Sequence, residues 1–308
     1  YNRVRYYYPT GKDLTPEELG ELLSNGDGLI RFKGEWVRVD ARKVRDLMDR
    51  WTQAARMMSS LGIPLVQGLR MLVNGPSGQL VQIPEPDEDC VMEPGQNLRQ
   101  TLDILAGKVP VSIPELPSRL DALMRPYQKE GFSFLYRITE QGFGACLADD
   151  MGLGKTLQAI AWLDTLRRKG RLEGLPALIV APASLLSNWK EEAQRFAPEL
   201  ILRIMHPSSP NPWQPEKTLR RKDCHAVITT YGMAARTSAL ADLHFPAIIL
   251  DEAQAIKNAG SARSRAIRSL HGERRIALSG TPVENNLNEL WSLMEFLNPG
   301  LLGSRKSF

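Results

Sequence analysis

The sequence predicts an α/β protein in which a parallel sheet is flanked by helices and preceded by a small mixed α+β domain. Three observations carry this prediction. From about residue 121 onward, short continuous apolar runs alternate with helical stretches, the pattern of a parallel sheet covered on both faces. Before that point, strand-like and helix-like segments follow one another without such alternation. The unusual glycine-rich and acidic stretches of the second part fall at the carboxyl ends of strand candidates, where ligands sit in such sheets.

In the first part, "GLIRFKGEWVRVD" (28–40) alternates around a Lys33-Gly34-Glu35 turn and predicts a hairpin. "ARKVRDLMDRWTQAARMMSSLG" (41–62) has helical spacing and ends at a glycine. "GQLVQIPEPDEDC" (78–90) predicts a strand running into an acidic loop, and "QNLRQTLDILAG" (96–107) another helix. Trp36, Trp51, Met57 and Met58 are expected in the core of this domain, and no catalytic constellation stands out in it. The prolines of "KVPVSIPELPSRL" mark 108–120 as a linker between an accessory domain, 1–107, and a larger lobe, 121–308.

The strand candidates of the lobe are "ACLAD" (145–149), "ALIVAP" (177–182), "AVITTY" (226–231), "AIILDE" (247–252) and "RIALSG" (275–280). Helical stretches such as "KTLQAIAWLDTLRRK" (155–169) and "SLLSNWKEEAQRFA" (184–197) lie between them. Trp162, Trp189 and Trp291 stand at apolar helical spacing and are expected in the core.

Composition excludes several classes. A hydrophobic content of 43% and a charged content of 24% are ordinary for a soluble globular protein. No apolar run approaches the roughly 18 residues of a membrane span, and the opening "YNRVRYYYPTGK" lacks the apolar core of a signal peptide. Cys90, Cys146 and Cys224 are far apart and form no metal-ligand spacing, so reduced thiols of a cytoplasmic protein are expected. Residues 1–120 carry 15 Lys and Arg against 16 Asp and Glu, whereas 121–308 carry 24 against 19. A polyanion is therefore expected to meet the lobe. The start at Tyr1 suggests part of a longer chain.

"DDMGLGKT" (149–156) fits the end of the phosphate-loop pattern G-x-x-x-x-G-K-[ST], but Asp149 occupies the place of the opening glycine. Small residues at Gly152 and Gly154 let backbone N–H groups turn toward a phosphate at a helix N-terminus. Lys155 would reach the β- and γ-phosphates, and the Thr156 hydroxyl would hold Mg²⁺. Some distance downstream, "IILDEAQ" (248–254) runs a buried strand up to two adjacent carboxylates. Asp251 suits Mg²⁺ positioning, and Glu252 suits activation of the attacking water. Loop and acids together indicate a nucleoside triphosphatase.

"LADDMGLGKTLQAIA" (147–161), "LIVAPASLLSNWKEE" (178–192), "VITTYGM" (227–233), "DEAQAIKN" (251–258) and "LSGTPVENNLNELWSLMEFLNPG" (278–300) closely resemble the Snf2 (Swi2/Snf2) family of DNA-dependent ATPases. These share the RecA-like fold of helicase superfamily 2. The resemblance spans about 121–303 and explains the missing glycine, because the family writes this loop D-E-M-G-L-G-K-T. Asp150 stands where Glu is usual, followed by Met151, Gly152, Leu153 and Gly154. It implies that Gln128 of "MRPYQ" (124–128) reads the adenine edge, supported by Tyr127 or Arg125. It also implies that Gln254 senses the γ-phosphate and that Ser279, Gly280 and Thr281 couple hydrolysis to movement between lobes. Ser184, Asn188, Thr230 and Tyr231 become expected contacts to the DNA backbone.

"SARSRAIRSLHGERR" (261–275) has five arginines against one glutamate. It reads either as a solvated helix or, by its resemblance, as a DNA contact through Arg263, Arg265 and Arg268. The resemblance implies ATP and Mg²⁺ as cofactors and double-stranded DNA as partner, with translocation rather than unwinding. It further implies a second RecA-like lobe of the same chain that supplies arginines to the ATP site, a remodelling target or protein partner the sequence does not name, and a cytoplasmic, nucleoid-associated setting without membrane attachment. Residues 1–308 alone are expected to bind ATP but hardly hydrolyse it. The rivals are an RNA-helicase lobe of superfamily 2, disfavoured by the Snf2 form of "DEAQAIKN", and a nucleic-acid- or protein-binding module without turnover.

Overall fold

The structure, a computed structural model, describes residues 4–6, 28–32, 35–39, 90–92, 96–106, 108–109, 113–172, 174–207, 224–281, 287–305 and 308. The chain divides into two compact units, Tyr1–Ala106 and Gly107–Phe308.

In the first unit, strands β1 (Val4–Tyr6), β2 (Gly28–Phe32), β3 (Glu35–Val39) and β4 (Cys90–Met92) precede helix α1 (Gln96–Leu105). β2 and β3 form the expected antiparallel hairpin, with Phe32 opposite Glu35, and β1 pairs antiparallel with β4. The helix expected over 41–62 and the acidic stretch 78–89 lie outside the described residues, as do the side chains of Trp36, Trp51, Met57 and Met58.

The second unit runs α2 (Ser118–Leu123), α3 (Pro126–Glu140), β5 (Ala145–Leu147), α4 (Lys155–Arg168), β6 (Ala177–Ala181), α5 (Leu186–Phe196), β7 (Leu202–Met205), β8 (Ala226–Thr230), α6 (Tyr231–Arg236), β9 (His244–Phe245), β10 (Ile248–Leu250), α7 (Ala262–Arg268), β11 (His271–Gly272), β12 (Arg275–Leu278) and α8 (Leu287–Leu297). Helix α2 begins inside the stretch read as linker, because Leu120 buries its side chain and anchors a turn there.

Six strands make one sheet in the order β5-β12-β10-β6-β8-β7, and every neighbouring pair is parallel. The sheet is flanked by helices, as the alternation predicts. Ala177–Ala181 is buried throughout, and so is Ile248–Leu250, the signature of inner parallel strands. Five strands coincide with the predicted runs but stop earlier. Asp149, Glu252 and Gly280 lie just beyond their strands, so the chemistry sits on the connecting loops. β7 is an addition at the sheet edge, where only Leu202 and Met205 are buried and no continuous apolar run announces it.

Helix α4 is buried on almost every side from Leu157 to Leu166, which makes it a core element rather than an amphipathic surface helix. Trp162 and Trp189 are fully buried and Trp291 nearly so, as expected of core residues. The Trp162 indole donates to Thr139 Oγ1 at 3.1 Å, joining α4 to α3. Among the described residues, no helix is long and apolar enough to cross a membrane.

Candidate active site

The loop after β5 reaches α4 through two left-handed glycines, Gly152 at φ 83° and Gly154 at φ 76°. Only glycine adopts that conformation without strain. At Gly154 a side chain would also collide with Gln128, whose Nε2 lies 2.4 Å from where a Cβ would sit. Lys155, nearly buried, folds its ammonium into the loop and donates to the main-chain oxygens of Asp149 at 2.7 Å and Asp150 at 2.9 Å. Asp149 fills the place of the opening glycine by directing its carboxylate at α4, where Oδ2 accepts from Gln158 Nε2 at 3.1 Å. Met151 is 77% exposed at the loop tip, and Thr156 is half-buried in the first turn of the helix.

The residues expected to frame an adenine lie against this loop. Gln128 is buried, its Oε1 accepts from Arg125 N at 2.9 Å, and its Nε2 donates to Leu153 O at 3.1 Å. The Tyr127 hydroxyl donates to the same carbonyl at 3.3 Å. The Gln128 amide thus caps the start of α3 and braces the phosphate loop, both of its ends satisfied as is usual for a buried amide.

The two acids follow β10. Asp251 is 5% exposed and its carboxylate is held on both oxygens: Oδ1 accepts from Glu252 N at 2.9 Å, and Oδ2 accepts from Trp189 Nε1 at 2.7 Å. Burial pushes its carboxyl above the ordinary range, while the indole donor and the nearby Lys155 ammonium pull it back toward the charged form. Glu252 is the single non-glycine residue at positive φ among the described residues, at 50°. Such a conformation costs on the order of 1–3 kcal/mol and clusters at functional sites. Its Oε2 accepts from Gln254 Nε2 at 2.6 Å. Gln254 Oε1 in turn accepts from Ser279 Oγ at 3.3 Å, and Ser279 Oγ accepts from Thr281 N at 3.2 Å.

Sheet order explains this convergence. β12 lies between β5 and β10, so Ser279, Gly280 and Thr281 emerge between the phosphate loop and the acid pair. A Cβ on Gly280 would come within 3.0 Å of Met151 Cγ, so the segment touches the loop on one side and Gln254 on the other. The donor set suits a nucleotide with Mg²⁺: left-handed glycines open backbone N–H groups at a helix N-terminus, and a hydroxyl and a carboxylate supply hard oxygens. Among the described residues, no three His, Cys, Asp or Glu groups could hold a metal unaided. Mg²⁺ characteristically uses one or two carboxylates together with phosphate oxygens.

The expected DNA contacts divide. Ser184 and Asn188 are exposed beyond β6, with Asn188 Nδ2 donating to Glu192 Oε1 at 3.0 Å. Thr230 caps α6 by accepting from Met233 N at 3.2 Å, which leaves its hydroxyl proton free to donate. Tyr231 must be corrected. It is 5% exposed, its hydroxyl donates to Asp251 O at 2.8 Å, and burial beside the two acids pushes its phenol well above the usual range. It braces the acid loop and does not face a backbone.

Arg263 and Arg265 are exposed on α7, Arg265 donating to Gly260 O at 2.6 Å. Arg268 must also be corrected: it turns inward, donating to Ser292 Oγ and Ala259 O at 2.9 Å each, with its guanidinium 5.5 Å over the Trp291 ring.

Motif reading did not single out Gln158, and it read Tyr231 as a DNA contact and Trp189 only as core, whereas all three brace the site. Each carries a buried polar N–H or O–H donor, and such a donor requires an acceptor. That is the signal present in the sequence, although the identity of the partner is not.

Residues 127–308 match the family model described as SNF2-related domain, and residues 10–73 match one described as SNF2 Helicase protein. The putative ATP-dependent helicase/translocase YwqA of Bacillus subtilis is 38% identical over 306 residues, covering 97% of this chain and 32% of its own. The chromatin-remodeling ATPase INO80 of Gibberella zeae is 39% identical over 203 residues, covering 63% of this chain and 11% of its own. The chain thus spans about a third or less of the length of these relatives. The SWI2/SNF2 ATPase core of Sulfolobus solfataricus in complex with dsDNA superposes with a TM-score of 0.57 at 41% identity, over 64% of this chain and 40% of that one.

Proposed function

Because the chain belongs to the SNF2-related family, we propose that its second unit is the ATP-binding RecA-like lobe of a double-stranded-DNA-dependent ATPase that translocates on duplex DNA and remodels protein–DNA complexes. One observation carries this reading: the sheet order gathers the phosphate loop, the Asp251–Glu252 pair and Ser279–Thr281 at one edge, linked by the Glu252–Gln254–Ser279 hydrogen bonds.

In the proposed site, Lys155 binds the β- and γ-phosphates, while Thr156 and Asp251 are the Mg²⁺ ligands. Mg²⁺, when bound, neutralises charge building on the phosphate oxygens. Glu252, in its left-handed position after β10, orients and deprotonates the attacking water. Gln254, bonded to both Glu252 and Ser279, reads the γ-phosphate and passes its presence to Ser279–Thr281. Ser184, Asn188 and Thr230 contact DNA phosphates, which positions the lobe without reading sequence. The arginines that complete the transfer come from a second lobe of the same protein. The dsDNA complex of the archaeal relative and its 41% identity support the DNA assignment.

The test is phosphate release by the full-length protein with duplex DNA, single-stranded DNA and RNA, beside residues 1–308 alone. Duplex DNA should stimulate the full-length protein most. Residues 1–308 alone should release phosphate about 10³- to 10⁵-fold more slowly, the cost of missing arginines in related enzymes. Stimulation by RNA alone would favour the RNA-helicase alternative, and no turnover under any condition would favour a binding module.

A further inference from the structure

Helix α5 presents two different surfaces within two consecutive residues. Asn188 is exposed, as is Ser184 just before the helix. Trp189 is fully buried, and its single polar atom donates to Asp251 Oδ2 at 2.7 Å across 62 positions of sequence.

The partner matters more than the burial. A buried indole needs an acceptor, and an ordinary core tryptophan takes whichever is nearest. Trp162 takes the Thr139 hydroxyl and Trp291 the Gly303 carbonyl. Trp189 takes a carboxylate whose other oxygen is already fixed by Glu252 N. Two donors in fixed positions set the plane of that carboxylate, one from its own loop and one from α5. The indole has two side-chain torsions and is packed on every side, and close-packed interiors transmit displacement instead of absorbing it. Any movement of α5 therefore reaches Asp251 as a change in one hydrogen bond.

We propose that Trp189 is a positioning residue through which the DNA-facing segment Ser184–Asn188 acts on Asp251, so that duplex DNA and Mg²⁺·nucleotide strengthen each other's binding. This rests on the proposed function, in which Ser184 and Asn188 face DNA and Asp251 faces Mg²⁺. Coupling of this kind is reciprocal: the factor by which DNA tightens nucleotide binding must equal the factor by which nucleotide tightens DNA binding.

The experiment measures both factors in the full-length protein by titrating Mg²⁺·ADP with and without a short duplex, and the duplex with and without Mg²⁺·ADP. The wild-type factor is expected at about 5- to 150-fold, the usual range of coupling between sites. Trp189→Phe keeps an aromatic ring and removes the N–H. It should bring the factor toward one and raise the Mg²⁺ concentration that nucleotide binding requires by about 10- to 100-fold, as loss of a partner of a metal ligand typically does. Binding of metal-free ADP and of DNA alone should stay as in wild type. Trp189→Leu, which likewise carries no N–H or O–H donor in its side chain, should behave in the same way.

Should neither variant fold, fluorotryptophan labelling of the wild-type protein reads the same contact without substitution. One indole resonance should then shift both on adding duplex and on adding Mg²⁺·ADP. A Trp189→Phe protein with the wild-type coupling factor, a wild-type factor of one, or no resonance answering both ligands would overturn the proposal. A wild-type protein that binds no Mg²⁺·ADP or no duplex overturns instead the proposed function on which it rests.

Discussion

Gln158 is fully buried in α4, with its Nε2 on the Asp149 carboxylate and its Oε1 against Gly131 of α3. A Cβ at residue 131 would stand 1.8 Å from that oxygen, so a glycine in mid-helix is the space into which the amide fits. Glycine there costs roughly 1 kcal/mol of helix propensity against alanine, and the steric demand of Gln158 accounts for it. Gly131→Ala should therefore lower stability and loosen the phosphate loop in a wild-type background. In a Gln158→Ala background the same change should be nearly neutral or stabilising. The check is a double-mutant cycle by denaturant unfolding, with a coupling of about 0.5–3 kcal/mol expected for groups in direct contact; additivity would contradict the arrangement. Motif spacing makes Lys155, Thr156, Asp251 and Glu252 recognisable in the sequence, because their chemistry dictates residue type and order. The braces Gln158, Trp189 and Tyr231 are not recognisable in that way, since each finds its partner through tertiary packing that spacing does not encode.

At the scale of elements, the strand runs are recognisable because inner parallel strands are apolar without interruption, and β10 and β6 meet that rule along their whole length. Their ends are not, because a polar residue following an apolar run reads equally as the last strand position or the first loop position. β7 escapes altogether, being a half-buried edge strand. Helix α7 shows the corresponding ambiguity for charge. Its arginines read alike in sequence, yet Arg263 and Arg265 face solvent, whereas Arg268 ties α7 to Ala259 and to Ser292 of α8. Burial lowers the Arg268 guanidinium from its ordinary value, consistent with a strut and not a free surface charge. Replacing Arg263 and Arg265 by Ala should reduce the salt slope of duplex binding by about one for each phosphate no longer neutralised. Arg268→Ala should leave that slope alone and instead cost about 1–3 kcal/mol of stability, by stranding its buried acceptors. Salt titrations of duplex affinity, with unfolding curves for the same three proteins, separate the two kinds of arginine; a slope that falls for Arg268→Ala alone would reverse the assignment.

At the scale of the molecule, the second unit gathers four strand ends into one wall of the proposed nucleotide site, and the family to which the chain belongs gives that wall its reading. β5 brings the phosphate loop, β12 the Ser279–Thr281 segment, β10 the acids, and β6 leads to α5 and Trp189. The central claim is that this wall binds Mg²⁺·ATP through Lys155 and uses Glu252 only after binding. The most direct measurement is calorimetric titration of a slowly hydrolysed ATP analogue with Mg²⁺ into wild-type, Lys155→Ala and Glu252→Gln proteins, each checked for fold by circular dichroism. Removing the Lys155 ammonium should weaken binding by about 10- to 150-fold, the equivalent of one charge-assisted hydrogen bond. Glu252→Gln should bind like wild type and fail to release phosphate from ATP, because it loses a base and not a phosphate ligand. Wild-type affinity in Lys155→Ala would contradict the account.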